Sequence, residues 1–218
     1  MAFIDDLGLI LDLLVLIAVA VFYTAVTVFW HWRKNDLDRA SSHLREGAFV
    51  LGFLGAIILL IAIWGEFNWP LPGAFNLFFF DPLVMLGFLL VAFGAAVWFR
   101  LPTHFVGILS VVVGGGVVYY GYRAYTLSLT LDPLETYLMY IAFGALAILA
   151  YPATLFIDWN VVGPRVASVA PMVSETATKN RTLWYALLGL FLIVAVLAGV
   201  AVLIYGFDTA WAHLAAAP

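Results

Sequence analysis

The chain has 218 residues, 66% of them hydrophobic and only 10% charged, a balance far from that of soluble domains. A formal net charge of −4 without any basic stripe excludes nucleic acid as a partner. The absence of cysteine excludes disulfide frameworks, thiolate metal sites and cysteine nucleophiles, leaving a protein whose solvent and principal partner is the lipid bilayer.

Six runs are long and apolar enough to cross a hydrocarbon core, which takes about 20 helical residues at roughly 1.5 Å each. They cover residues 7–31, 47–64, 82–99, 104–122, 133–156 and 183–207. Each must be helical, because every amide inside lipid needs an internal partner and a closed barrel would show alternating short segments instead. The expected fold is therefore all-α, a single integral membrane bundle of six transmembrane helices over residues 1–218.

The first run carries Asp5 and Asp6 where a signal peptide has basic residues, so it is expected to stay in the mature protein. Asp12, Tyr23, Thr27 and His31 fall within an arc of roughly 100° on this helix. Such a stripe, ending in the ionisable His31, suits a proton or ion path. It suits equally a set of side chains that bond neighbours and their own backbone. Past this helix lie Arg33, Lys34, Arg39 and Arg45, and the later loops on the same side hold Arg100, Arg165, Lys179 and Arg181. Arg123 stands alone opposite, so the basic loops are expected to be cytoplasmic, with both termini outside a plasma membrane. Tryptophans at positions 30, 32, 64, 69, 98, 159, 184 and 211 sit near the ends of runs, as an interfacial belt requires.

Between the second and third runs the chain reads GEFNWPLPGAFNLFFFDP, from Gly65 to Pro82. Pro70, Pro72 and Gly73 break any helix, and the aromatics are expected to sink into the outer headgroup boundary. The segment is either a greasy turn or a lid over a cavity, with Asn68, Trp69, Asn76 and Asp81 as the lid's polar and aromatic markers. Asn68 and Asn76 discriminate, because a buried amide needs either backbone or a ligand to bond.

The run Asn68-Trp69-Pro70-Leu71-Pro72-Gly73, followed by Asn76 and Phe80-Asp81-Pro82, resembles an archaeal family of multi-pass membrane proteins classed as a domain of unknown function. The resemblance implies a prokaryotic, archaeal plasma membrane, and brings no reaction, ligand or functional residue with it.

Further along, Asp81-Pro82 and Asp132-Pro133-Leu134-Glu135 place carboxylates where caps of the third and fifth helices would sit. Thr103 would cap the fourth helix, and Asn180 or Thr182 the sixth. Gly114, Gly115, Gly116 and Gly121 form a close-packing surface on the fourth helix. Glu66 and Arg123 lie at the outer ends of the second and fourth helices, and Arg123 pairing with Glu66 or Asp12 would satisfy both charges. The spacing leaves metal binding and cofactors undetermined. Asp12, Glu66 and Asp81 offer oxygen ligands for a hard cation, and His31 with His104 is a conceivable haem pair of marginal depth. No catalytic constellation is legible.

Helices one to three and four to six would run in opposite senses, the arrangement of a 3+3 inverted repeat. Weak matches support it: Trp32-Arg33 with Tyr122-Arg123, Glu66-Phe67-Asn68 with Asp158-Trp159-Asn160, and Leu86-Gly87 with Leu188-Gly189. Two functions follow. One is a channel or carrier for protons, cations or a small solute; the other is a non-catalytic accessory subunit of a larger, respiratory-type membrane complex. A homo-oligomer is compatible with the first reading and a foreign partner chain with the second.

Overall fold

Hydrocarbon solvates no amide, and the computed structural model answers that demand with helix almost throughout the residues it describes, 6–71, 73–130, 132–162 and 181–216. The helices are α1 (Asp6–Arg33), α2 (Leu37–Asn68), α3 (Ala74–Trp98), α4 (His104–Thr126), α5 (Pro133–Phe156) and α6 (Arg181–Ala216). A π-helical turn, Ile157–Val162, prolongs α5. All six are long and apolar enough to cross a membrane, so this is a multi-pass membrane protein, and no strand occurs among the described residues. Pro72, Arg165, Lys179, the cap candidate Asn180 and the serines and prolines of the last loop lie outside the described residues.

Each helix packs on its neighbours in the chain, and α6 returns to α1, so the six close into a ring. Three seams are built differently. The α2–α3 and α4–α5 hairpins are tight, whereas the α3–α4 seam is the sparsest of the six. On α2 the buried residues are Ala40, Leu44, Ala48, Leu51, Gly55, Ile58, Ala62 and Gly65, steps of four and three that keep one stripe facing the partner. Gly55 and Gly87 let the α2 and α3 backbones touch, since a Cβ on Gly87 would lie 2.9 Å from the Gly55 carbonyl oxygen. Gly107, Gly114 and Gly121, seven apart, do the same for α4 against Tyr151, Gly144 and Tyr140 of α5. Gly115 and Gly116 meet nothing and face away from α5, so only two of the four glycines expected to pack do so within the chain.

Two helices begin earlier than their apolar runs. α2 starts at Leu37, ten residues ahead of the run at 47, because the Asp36 side chain accepts the Arg39 backbone N–H at 3.2 Å and caps a polar first stretch. α3 starts at Ala74, eight residues before Pro82, after Gly73 turns the chain at φ 55°. Pro82 therefore lies inside α3, and Asp81 caps nothing. A proline there removes the amide that would bond the carbonyl four residues back, at Phe78. The buried Tyr140 hydroxyl of α5 donates to that Phe78 oxygen at 2.8 Å and takes the missing place. Asp132 and Thr103 stand at the N-cap positions of α5 and α4 but make no capping side-chain bond.

The tryptophans divide. Trp30, Trp64, Trp69, Trp98 and Trp159 are exposed near helix ends, where a headgroup belt would hold them. Trp32 and Trp184 are instead buried around Phe156 at the basic end of the ring, with ring centroids 4.9 Å and 5.7 Å from it.

Candidate functional site: two stacked cavities in the ring

Between the helices of the ring lie two partly open cavities. The first, of about 200 Å³, is lined from all six helices in the basic half, by residues including Ile17, Val28, Leu51, Phe93, Ser110 and Phe191. The second, of about 130 Å³, continues into the other half between Leu11, Leu14, Phe79, Val117, Met139, Tyr140 and Tyr205. Leu86, Leu89, Phe143 and Ala147 line both, forming the waist between them. From Ile17 and Val28 at one level to Leu11 and Leu14 at the other, the walls are almost wholly carbon.

Two of the three hydroxyls that line the first cavity are already engaged, the third being that of Thr24. Ser110 donates to the Gly107 carbonyl at 2.6 Å and Thr154 to the Tyr151 carbonyl at 2.8 Å, both within their own helices. An ion or a polar solute in this space would find little beyond the Thr24 hydroxyl to bond, whereas a hydrocarbon group would lose nothing by entering. Interiors are ordinarily packed without voids of this size, and a dry cavity of roughly 150 Å³ already accepts a small aromatic guest.

Where the cavities approach the end holding the α2–α3 turn, polar groups gather. Tyr120 on α4 donates its hydroxyl to Asp81 Oδ2 on α3, bridging the sparse α3–α4 seam. Glu66 on α2 lies beside Asp81, and its buried Oε1 has no hydrogen-bond partner among the described residues. The structure thus brings Glu66 and Asp81 together, a neighbourhood their sequence separation hides, and adds Tyr120, which sequence reasoning missed. Asp12 is not with them. It lies exposed on α1, and Tyr23, 64% exposed, faces outward too. Thr27 donates to the Tyr23 carbonyl at 2.8 Å and the Thr24 carbonyl at 3.0 Å on its own helix. The stripe of Asp12, Tyr23 and Thr27 therefore lines no cavity within one chain. Arg123 is exposed on α4 and forms no ion pair among the described residues, so the expected bridges to Glu66 and Asp12 are not made within the chain.

The Gly65–Pro82 segment is a helical hairpin rather than a draped lid. Phe78 and Phe80 are buried, Phe67 and Trp69 exposed. Asn68 donates to the Trp64 carbonyl at 2.8 Å; the fully buried Asn76 donates to the Gly65 carbonyl at 3.2 Å and accepts the Leu71 amide at 3.3 Å. Both amides thus bond backbone. Trp69 closes α2 in the left-handed region at φ 48°, its amide bonding the same Gly65 carbonyl, and Phe80 packs on the bare face of Gly65.

His31 and His104 each have partners of their own. His31 stacks on His43 of α2, ring centroids 5.0 Å apart, with Asp36 Oδ2 3.7 Å from its Nδ1. His104 is held by Asp158 of the turn that prolongs the neighbouring α5. That carboxylate accepts from the Thr103 amide (2.9 Å), the Thr103 hydroxyl (2.8 Å), the His104 amide (2.9 Å) and His104 Nδ1 (2.8 Å). Asp158, carried on the π-helical turn, is the true N-terminal cap of α4, supplied in trans where an anion is favoured by the helix's free amides. Nothing in the local sequence around Thr103 announces it. Among the described residues no group of three or more histidines and carboxylates is arranged to hold a metal ion.

Against known proteins, no curated protein and no solved structure matches the chain. A family model covers residues 1–216, nearly the whole chain, and by it the protein belongs to the family described as "Protein of unknown function (DUF981)".

Proposed function

We propose that the protein is a membrane carrier for a small apolar solute, held on the axis of the helix ring. Of the cargoes that the sequence admits, protons and cations would need polar groups along the path, and the polar stripe of α1 faces away from it. The observation that carries the reading is the pair of cavities meeting at Leu86, Leu89, Phe143 and Ala147. A hydrocarbon guest there gains dispersion contacts with walls of carbon and strips water from almost no polar group. The sparse α3–α4 seam, bridged by Tyr120 and Asp81, is the natural lateral opening to the bilayer. The weak correspondence of Glu66-Phe67-Asn68 with Asp158-Trp159-Asn160 supports two halves working in alternation, with both termini outside the plasma membrane.

Equilibrium binding of a fluorescent fatty-acyl probe to the purified protein tests this, comparing the parent with Ala147→Phe, which fills the waist. Binding that saturates at one site in the parent and weakens at least ten-fold in Ala147→Phe is expected. Equal binding by both proteins would refute the assignment.

A further inference from the structure

The closed ring places α1 and α4 on opposite sides, three helices apart in either direction, and toward one end each presents a charge without an ion-pair partner among the described residues. Asp12 lies six residues into α1, well inside its apolar run, yet on the outer face with Leu9, Leu16, Val19 and Tyr23. A carboxylate held toward hydrocarbon is costly unless a cation or water reaches it. Arg123 lies at the same end, exposed on the outer face of α4 in line with Val112, Gly116 and Tyr119, a row stepping by four, three and four. Neither charge has an ion-pair partner among the described residues. Their heights agree within the reach of an arginine. Leu11 and Leu14 of α1 line one cavity with Val117 of α4, and Arg123 is six residues, about 9 Å, beyond Val117.

The same face of α4 holds Gly115 and Gly116, whose missing side chains no atom of this chain fills. Small residues let helices in lipid approach closely, so this is a seat for the bulky row of α1. Because the two faces are on opposite sides, one chain cannot close the contact on itself. A two-fold pairing of α1 with α1 would set Asp12 against Asp12. Only the unlike pairing joins opposite charges.

We propose that copies of this chain associate side by side in the membrane, α1 of one against α4 of the next, with an Asp12–Arg123 ion pair between them. The contact is heterologous, so it builds a closed ring or an open row of protomers rather than a two-fold dimer. It is independent of what the cavities hold.

The natural absence of cysteine makes the test direct. Two differently tagged full-length copies, one Asp12→Cys and the other Arg123→Cys, are co-expressed and treated in native membranes with a short bis-maleimide spanning an arginine–aspartate pair. A mixed dimer carrying both tags is expected, and none when either copy is paired with the parent. A chain carrying both cysteines is expected to give a ladder of oligomers, not a monomer linked internally. In mild detergent, Asp12→Arg alone and Arg123→Asp alone are each expected to reduce the oligomer at least ten-fold, and the combined exchange to restore it. A parent that is monomeric in membranes, no mixed cross-link, or a loss that the combined exchange does not restore would overturn the proposal. So would self-association that neither single exchange alters.

Discussion

Tyr140→Phe removes one oxygen from the core and should show that Pro82 and Tyr140 form a single device. The hydroxyl donates at 2.8 Å to the Phe78 carbonyl, whose helical partner is missing because residue 82 is proline. Hydrogen bonds between helices in lipid contribute about 0.6 kcal/mol on average and at most about 1.7, because the alternative state usually finds another partner. Residue 82, as proline, has no amide to offer this oxygen, and a buried acceptor left unmet costs roughly 1–3 kcal/mol. The expected loss is therefore about 1.5 kcal/mol, close to ten-fold in the unfolding equilibrium. In a Pro82→Ala background the new amide at position 82 can bond Phe78, and the same Tyr140→Phe change should then cost only a few tenths of a kcal/mol. Reversible unfolding of the four proteins in mixed micelles gives the coupling directly. Equal losses in both backgrounds would refute the idea that the tyrosine replaces the amide that proline lacks.

Three further outcomes are expected from the same unfolding assay. Asp158→Ala strips four hydrogen bonds from the start of α4 and should cost about 2–4 kcal/mol, whereas Asp132→Ala, which loses no side-chain bond, should cost under about 1; similar losses would contradict the reassigned cap. Gly65→Ala drives a methyl into the Phe80 ring and should lose about 1–3 kcal/mol, most of it recovered by adding Phe80→Leu; a neutral Gly65→Ala would show that the hairpin end is looser than described. Asn76→Leu, which abandons the Gly65 and Leu71 bonds, should cost about 1–3 kcal/mol and raise proteolysis between α2 and α3, while Asn68→Leu should leave both unchanged.

Much of the architecture was legible because lipid restricts the backbone to so few solutions. Six apolar runs became six helices. The misplaced boundaries share a cause: hydropathy reports where the oil begins, while a helix begins where its amides are capped. Asp36 opens α2 in polar sequence ten residues ahead of the run at 47, and Asp81-Pro82 looks like a helix start only if Tyr140, 58 residues further on, is out of sight. The candidate site was less legible still. Its walls are ordinary leucine, alanine, valine and phenylalanine, which read as core in any sequence, and their separation from one another is a property of the ring. Asp12, Tyr23 and Thr27 shared a helix face as the spacing requires, but spacing does not say whether a face looks inward. Glu66, Asp81 and Tyr120 meet because three helices converge, a fact carried by packing and not by any local motif.

The measurement that tests the account most directly is photolabelling of the protein in bilayers with a fatty-acyl chain bearing a terminal diazirine, read out residue by residue by mass spectrometry. If the ring holds an apolar solute, label should appear on cavity residues such as Leu89, Phe93, Phe143 and Ala150, compete away with unlabelled chain, and disappear from them in Ala147→Phe. Label confined to outward residues such as Phe49, Phe53 and Val112, unchanged by competitor or by Ala147→Phe, would contradict it.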